Sequence, residues 1–320
     1  MNKRVISLIL LLALSYGLNL VNPSWAVGFS GPGQAADTNF NARVASPAYD
    51  KQHPKVLFDE GHNNLYTSTG RYKPFAELII SDGYKLNPGA GSLSKDQLNG
   101  YDVLVIVNAA GPKDRRDAPA FTDAECDVVR DWVKAGGALL LITDHAPFGS
   151  AAGSLARRFD VDVTPGFTID IRQYNQESGD QTELVFTREA SLLGDHPITR
   201  GRNDKERIDR ILTFSGTSVK GPKDSVALLK LSDTAKDVLP PDRKPSSPED
   251  PPVDHKVVSA SGRAQGIALE FGKGRVVVLG EAPMLTAQVM PNGLHFGMNI
   301  SGTDNKQFAL NIMHWLSKLI

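Results

Sequence analysis

Four apolar runs in this 320-residue chain end in side chains that can move a proton or grip a hydroxyl. The run Lys55–Phe58 leads into Asp59-Glu60-Gly61-His62-Asn63-Asn64, and Val103–Val107 leads into Asn108. Ala138–Ile142 leads into Thr143-Asp144-His145, and Arg275–Leu279 into Gly280-Glu281. Carboxylates and imidazoles are the usual agents of general acid–base transfer. Asp144, His145 and Glu281 are therefore the candidate catalytic residues. Asp59, Glu60, His62, Asn63, Asn64 and Asn108 are the candidate ligand-binding residues, because together they offer donors and acceptors for hydroxyl groups. A metal variant would draw oxygen and nitrogen ligands from Asp59, His62, Asp144, His145 and Glu281. Adjacent Asp144 and His145 suit it poorly, since neighbouring side chains on extended backbone diverge. The sequence names no metal and no cofactor. Asp and Asn are also favoured in turns, so each segment alone is weak and their joint placement carries the reading.

The remaining chemistry-bearing residues read more plainly. His196, in Asp195-His196-Pro197-Ile198-Thr199, reads as a structural turn. His255 reads as solvated, His314 as a packed or surface residue of the last helix, and His295 as undecided. Cys126 is the single cysteine, so no intramolecular disulfide or Cys-pair metal site can form. Its place inside a helix makes it a buried structural thiol.

The positioning elements follow from periodicity. Tyr101–Val107 and Ala138–Ile142 are continuous apolar runs, as expected of strands buried on both faces. Arg71–Ser81 carries Phe75, Leu78 and Ile79 on one helical face. Thr122-Asp123-Ala124-Glu125 is a capping box opening a helix that ends at Gly136-Gly137. A helix is expected over Ser154–Phe159, and Thr303-Asp304-Asn305 opens the last one, with Phe308, Ile312, Trp315 and Leu316 as its stripe. Strands and helices in alternation predict an α/β fold, a mostly parallel sheet with helices on both faces. Ile267–Phe271 and Arg275–Leu279 flank Gly272-Lys273-Gly274, which predicts an antiparallel hairpin addition near the C-terminus. In such a sheet ligands bind beyond the carboxyl ends of the strands, where the polar residues above fall.

The expected organisation is a signal peptide over 1–26, an extended leader over 27–54 and a single α/β domain over 55–320. Met1-Asn2-Lys3-Arg4, the apolar run from Val5 and the small residues Ser24 and Ala26 before a cut give the signal layout. Export predicts a periplasmic or extracellular protein with no stable membrane span after cleavage. Leu239–Val253 holds six prolines and reads as an exposed loop within the domain. A 41% hydrophobic, 22% charged chain excludes a disordered or multi-span membrane protein. A net charge of −1 leaves no basic excess for phosphate contacts, so no nucleic acid is expected as partner.

The order of elements resembles the class I glutamine amidotransferase-like superfamily, which has a flavodoxin-like fold. The branch it is most similar to is the non-amidotransferase one, with ThuA-like and gliding-motility or intraflagellar-transport-like domains. The matching pieces are Val56–Asn64, Tyr101–Ala109, Gly136–Gly149, His196–Gly201, Gly272–Ala282 and Asn305–Leu316, and the likeness is diffuse. In amidotransferases the turn after the central strand presents a cysteine nucleophile. Here that stretch is Ile142-Thr143-Asp144-His145-Ala146, and Glu281 stands where the family histidine would follow the late strand. The resemblance therefore implies the fold without the covalent glutaminase route. Gly149–Gly153 either brings backbone amides to a ligand or lets strand and helix pack closely.

Three functions compete. The first is a secreted domain binding a small polar ligand, a carbohydrate among the candidates. The second is a hydrolase with Asp144 or Glu281 as base and His62 or His145 as acid. The third is a structural or assembly domain with a vestigial pocket.

Overall fold

Each of the buried strands alternates its side chains between two apolar layers, and that alternation organises the molecule. The computed structural model describes residues 34–241 and 254–320. The expected signal peptide, the leader as far as residue 33 and residues 242–253 of the Pro-rich segment lie outside the described residues. The elements that matter for the site are β1 (Lys55–Asp59), α1 (Lys73–Ser81), β2 (Lys85–Gly89), β3 (Val103–Val107), α2 (Asp123–Ala135), β4 (Ala138–Ile142) and α3 (Phe148–Ala156). They are followed by β5 (Asp162–Val163), β6 (Val219–Lys220), β7 (Val226–Lys230), β8 (Ala264–Phe271), β9 (Gly274–Leu279) and α4 (Asn305–Leu316).

The main sheet runs β2-β1-β3-β4-β9-β8-β6-β5, with β7 also paired to β8. The pairs from β2 to β9 are parallel, and β8 returns antiparallel to β9. The sheet is thus mixed. Val103, Val105, Val107, Leu140 and Ile142 join an apolar layer with Phe75 and Ile79 of α1 and Phe308 and Ile312 of α4. Leu104, Ile106, Leu139 and Leu141 join another with Val129 and Val133 of α2 and Leu155 of α3. Each such aliphatic side chain contributes on the order of 1.5–3 kcal/mol when fully buried.

The structure departs from the sequence reading in two informative places. Lys85–Gly89, to which the sequence reading assigned no element, forms the outermost parallel strand. An edge strand tolerates the missing N–H of Pro88 because one side needs no ladder partner. The helix expected from Ser154 begins at Phe148, so Gly149–Gly153 lies inside α3. A Cβ on Gly149 would sit 2.6 Å from the Thr164 carbonyl oxygen and 3.3 Å from that of Asp144. The glycine serves close helix–backbone packing.

Residues 35–320 form one compact unit. Part of the expected leader is woven into it. Ala35–Ala36 pairs with Gln288–Val289, and Phe40, Val44 and Tyr49 pack on the core. A smaller sheet places Ala235–Val238 between Phe167–Asp170 and Val257–Ser259. Among the described residues no helix is long and apolar enough to cross a membrane.

Candidate functional site

The parallel register puts the candidate residues at one edge. Ile142 stands beside both Val107 and Leu279, so Asn108, Asp144 and Glu281 emerge together beyond three adjacent strands. The side chains then divide into two groups.

The first group is built on the turn after β1. His62 is 7% exposed, and its Nδ1 lies 2.8 Å from Asp59 Oδ1. Its Nε2 lies 3.1 Å from Glu125 Oε1, in the first turn of α2. With both ring nitrogens facing carboxylate oxygens, the ring is an imidazolium bridging two acids. Burial alone would lower its pKa, but the hydrogen bonds and charges of Asp59 and Glu125 outweigh it and the pKa is raised. Glu125 is held at about 2: burial opposes this, and the Thr122 backbone and hydroxyl bonds and His62 overcome it. Its carboxylate also accepts from the Leu93 amide at 3.1 Å. Asn64 Nδ2 donates to Asp59 Oδ2 at 3.1 Å and to the Val107 carbonyl at 3.2 Å, tying β1 to β3.

Two expected members stand apart from this group. Glu60 turns to Ser68, accepting its amide at 2.8 Å and its hydroxyl at 2.6 Å. Neighbours on extended backbone point to opposite sides, so Asp59 and Glu60 could not both enter one crevice. Asn63 is exposed and holds the left-handed turn with φ 48°.

The second group is the buried pair Asp144 and Glu281, 3% and 0% exposed. Asp144 Oδ1 accepts the His145 amide at 2.8 Å, and Oδ2 accepts Asn108 Nδ2 at 3.3 Å. Glu281 Oε1 accepts the Phe214 amide at 3.1 Å, and Oε2 the Met284 amide at 2.7 Å. Burial raises the pKa of both, and the charge of Asp144 raises Glu281 further. The His145 ring faces the Ala146 carbonyl through Nδ1 at 2.8 Å, with Nε2 3.8 Å from Asp144 Oδ1. Tyr72 completes the surround, donating to the Ala282 carbonyl at 2.7 Å. Asn108 Oδ1 and Thr143 Oγ1 are buried without a hydrogen-bond partner among the described residues.

Of the residues that the sequence singled out, the structure gathers Asp59, His62, Asn108, Asp144, His145 and Glu281 at this edge, and it adds Glu125 and Tyr72, which the sequence did not suggest as site residues. Glu125 was legible only as a helix cap, and the cap is real: Thr122 Oγ1 accepts the Glu125 amide at 3.3 Å. Its second task needs a histidine 63 residues away. Among the described residues no three His, Cys, Asp or Glu side chains are arranged to hold a metal ion. That weakens the metal variant, whose members fall in the two separate groups. Cys126 is fully buried in α2, and burial raises its thiol pKa. No thiol stands at the end of β4.

The sheet and its strand ends define an α/β protein with a carboxylate pair beyond its central parallel strands. Structures similar to it include the IFT52 N-terminal domain, with TM-score 0.55 and 16% identity over 82% of this chain and 97% of that one. They also include a ThuA-like protein from Bacteroides uniformis, with TM-score 0.39 and 13% identity over 88% and 95%. A glutamine amidotransferase from Thermotoga maritima matches with TM-score 0.37 and 13% identity over 72% and 76%. At 16% identity the first of these likenesses is one of fold. No protein-family model and no curated relative matches the sequence.

Proposed function

We propose that this chain is a secreted, amidotransferase-like domain that works without a thiol nucleophile and binds a small polar ligand beyond β3, β4 and β9. A carbohydrate is the ligand class that its mixed donors and acceptors suit. The observation that carries the reading is Asn108 Oδ1, buried without a hydrogen-bond partner among the described residues on a side chain whose Nδ2 donates to Asp144. A buried polar group left unpaired costs about 1–3 kcal/mol, and a hydroxyl from a ligand would remove that cost. Export rests on the basic start, apolar run and Ser24-Trp25-Ala26. N-terminal sequencing of protein from the envelope or medium should begin near Val27.

A hydrolase reading is favoured by one further observation. Burial raises the pKa of both carboxyls, the direction in which a general acid is tuned. A panel of sugars and glycosides, followed by thermal shift and by product formation, separates the two. Ligand-induced stabilisation lost in Asp144→Asn supports binding, and product formation supports the hydrolase. If no compound shifts the melting temperature and Asp144→Asn alters stability alone, the domain is structural. Ammonia release from glutamine should stay at background, unchanged by thiol alkylation.

A further inference from the structure

The motif Asp195-His196-Pro197-Ile198-Thr199 has no part in the strand-end groups. The structure places it at a cleft of about 410 Å³, lined by His196, Asp224, Glu270, Arg275 and Trp315 among others. Arg275 pairs with Ala138 at the start of β4, whereas Leu279 pairs with Ile142 at its end. Four residue steps of ~3.3 Å put the cleft roughly 13 Å down the sheet from the Asp144 edge. Its volume falls within the range of small-molecule sites, about 300–1,000 Å³.

His196 is 8% exposed and fixed on two sides. Its Nδ1 accepts the Ile198 amide at 3.2 Å, and its ring meets Trp315 edge-on at 4.8 Å. Burial, then Arg200 and Arg275, lower its pKa to about 4, so the ring is neutral. A neutral ring that accepts at Nδ1 carries its proton on Nε2. No hydrogen bond joins that nitrogen to another described residue. Arg275 spends Nη1 on the carbonyls of Trp315 and Ile320, at 2.5 and 2.8 Å, and its guanidinium lies 4.8 Å over the Trp315 ring. Its Nε and Nη2 have no hydrogen bond to a described residue. Asp224 and Glu270 are exposed carboxylates at the rim, and Glu270 stands cross-strand from Arg275.

We infer that this cleft is a second binding site, for a neutral hydroxyl-rich ligand of monosaccharide size that accepts from His196 Nε2 and Arg275 and donates to Asp224 or Glu270. The two rim carboxylates repel a simple anion, and Arg275 repels a simple cation. A hydroxyl both donates and accepts, so it satisfies both walls. The inference does not rest on the strand-end reading.

The test is NMR titration of the full chain with glucose, galactose and mannose in turn, and with inorganic phosphate and acetate as anionic probes. One of the sugars should shift the His196 ring and Trp315 indole resonances. His196→Asn preserves a cap acceptor for the Ile198 amide and removes the Nε2 donor. It should weaken binding at least about tenfold, the loss of roughly one hydrogen bond, with the melting temperature held. Glu270→Gln, at an exposed rim position, should also weaken binding and serves if His196→Asn folds poorly. Asp144→Asn should leave it intact. Shifts by phosphate or acetate alone, no shift with any sugar, or undiminished binding in both rim and His196 variants would overturn the inference. Binding abolished by Asp144→Asn and untouched by His196→Asn would place the sugar at the strand ends instead.

Discussion

The His62 bridge and the Asp144–Glu281 pair lie at the same edge of one sheet, yet they solve opposite electrostatic problems. Around His62 one cation stands between two carboxylates, and every polar group of the trio has a partner. Around Asp144 two carboxylates are buried with amide donors, and among the described residues neither forms an ion pair with a lysine or arginine. In the first arrangement two carboxylates share one cation, and the bridge binds the β1 turn to the start of α2. The second carries excess negative charge, which a proton or a bound partner must relieve. Burial of charge is thus not in itself a mark of a binding site. The second group is distinguished by Glu281, a buried carboxylate beside Asp144 with no cation paired to it among the described residues, while Asp144 has only His145 at 3.8 Å.

The contrast can be broken most forcefully at His62. His62→Ala leaves Asp59 and Glu125 buried without their cation, and unfolding by denaturant should show a loss of about 3–5 kcal/mol. A loss under about 1 kcal/mol would mean water replaces the ring freely. The pH profile sharpens the same point. His62 has a raised folded pKa, so its contribution is complete below its unfolded value, about 6.5, and fades as pH climbs through the higher folded value. Glu125 has a lowered one, so its contribution is present above about 4.3 and fades as pH falls toward 2. The stability difference between wild type and His62→Gln should therefore be greatest between about pH 4.3 and 6.5. A flat difference from pH 4 to 9 would show that the ring is not charged.

Glu281→Gln should behave differently. It removes a carboxylate that burial and Asp144 already disfavour, while one amide loses its acceptor. The two effects offset to within about 1 kcal/mol, and the change should surface in ligand-induced thermal shifts. A collapse in stability would make Glu281 a structural strut. The smallest effect is expected from replacing residues 242–253 with a Gly/Ser linker. The melting temperature should move by only a few degrees, and a larger fall would reveal packing against either group.

The strands that position both groups were legible because Val103–Val107, Ala138–Ile142 and Arg275–Leu279 are apolar without interruption. Buried parallel strands need no alternation. β2 was illegible for the converse reason: an edge strand with Asn87 and Pro88 looks like a turn. The sequence also placed Asp59, His62, Asn108, Asp144 and Glu281 beyond strand ends, and the structure brings those strand ends to one edge. It did not separate the set that shares the His62 cation from the Asp144–Glu281 set, since that depends on Glu125 arriving from a helix 63 residues onward. Nor did it show that Glu60 turns to Ser68, a matter of which side of the strand each neighbour takes. The polar set around Asp237 was missed altogether. Thr164, Thr168 and Ser218 bring their hydroxyls to that carboxylate from separate elements, and no local pattern announces it.

The Pro-rich connection begins and ends at a clasp. Val238 pairs with Val257, and the Leu239 amide donates to the Lys256 carbonyl at 2.9 Å. Everything before the clasp, including β1 to β4, meets everything after it, including β8 and β9, across the middle of the main sheet. A protease nick between residues 242 and 253 would therefore produce two fragments that share a continuous strand ladder and an apolar interior. They should travel together through a sizing column and part only in denaturant. The same feature makes this connection the natural point at which to open the chain for circular permutation or to insert a reporter.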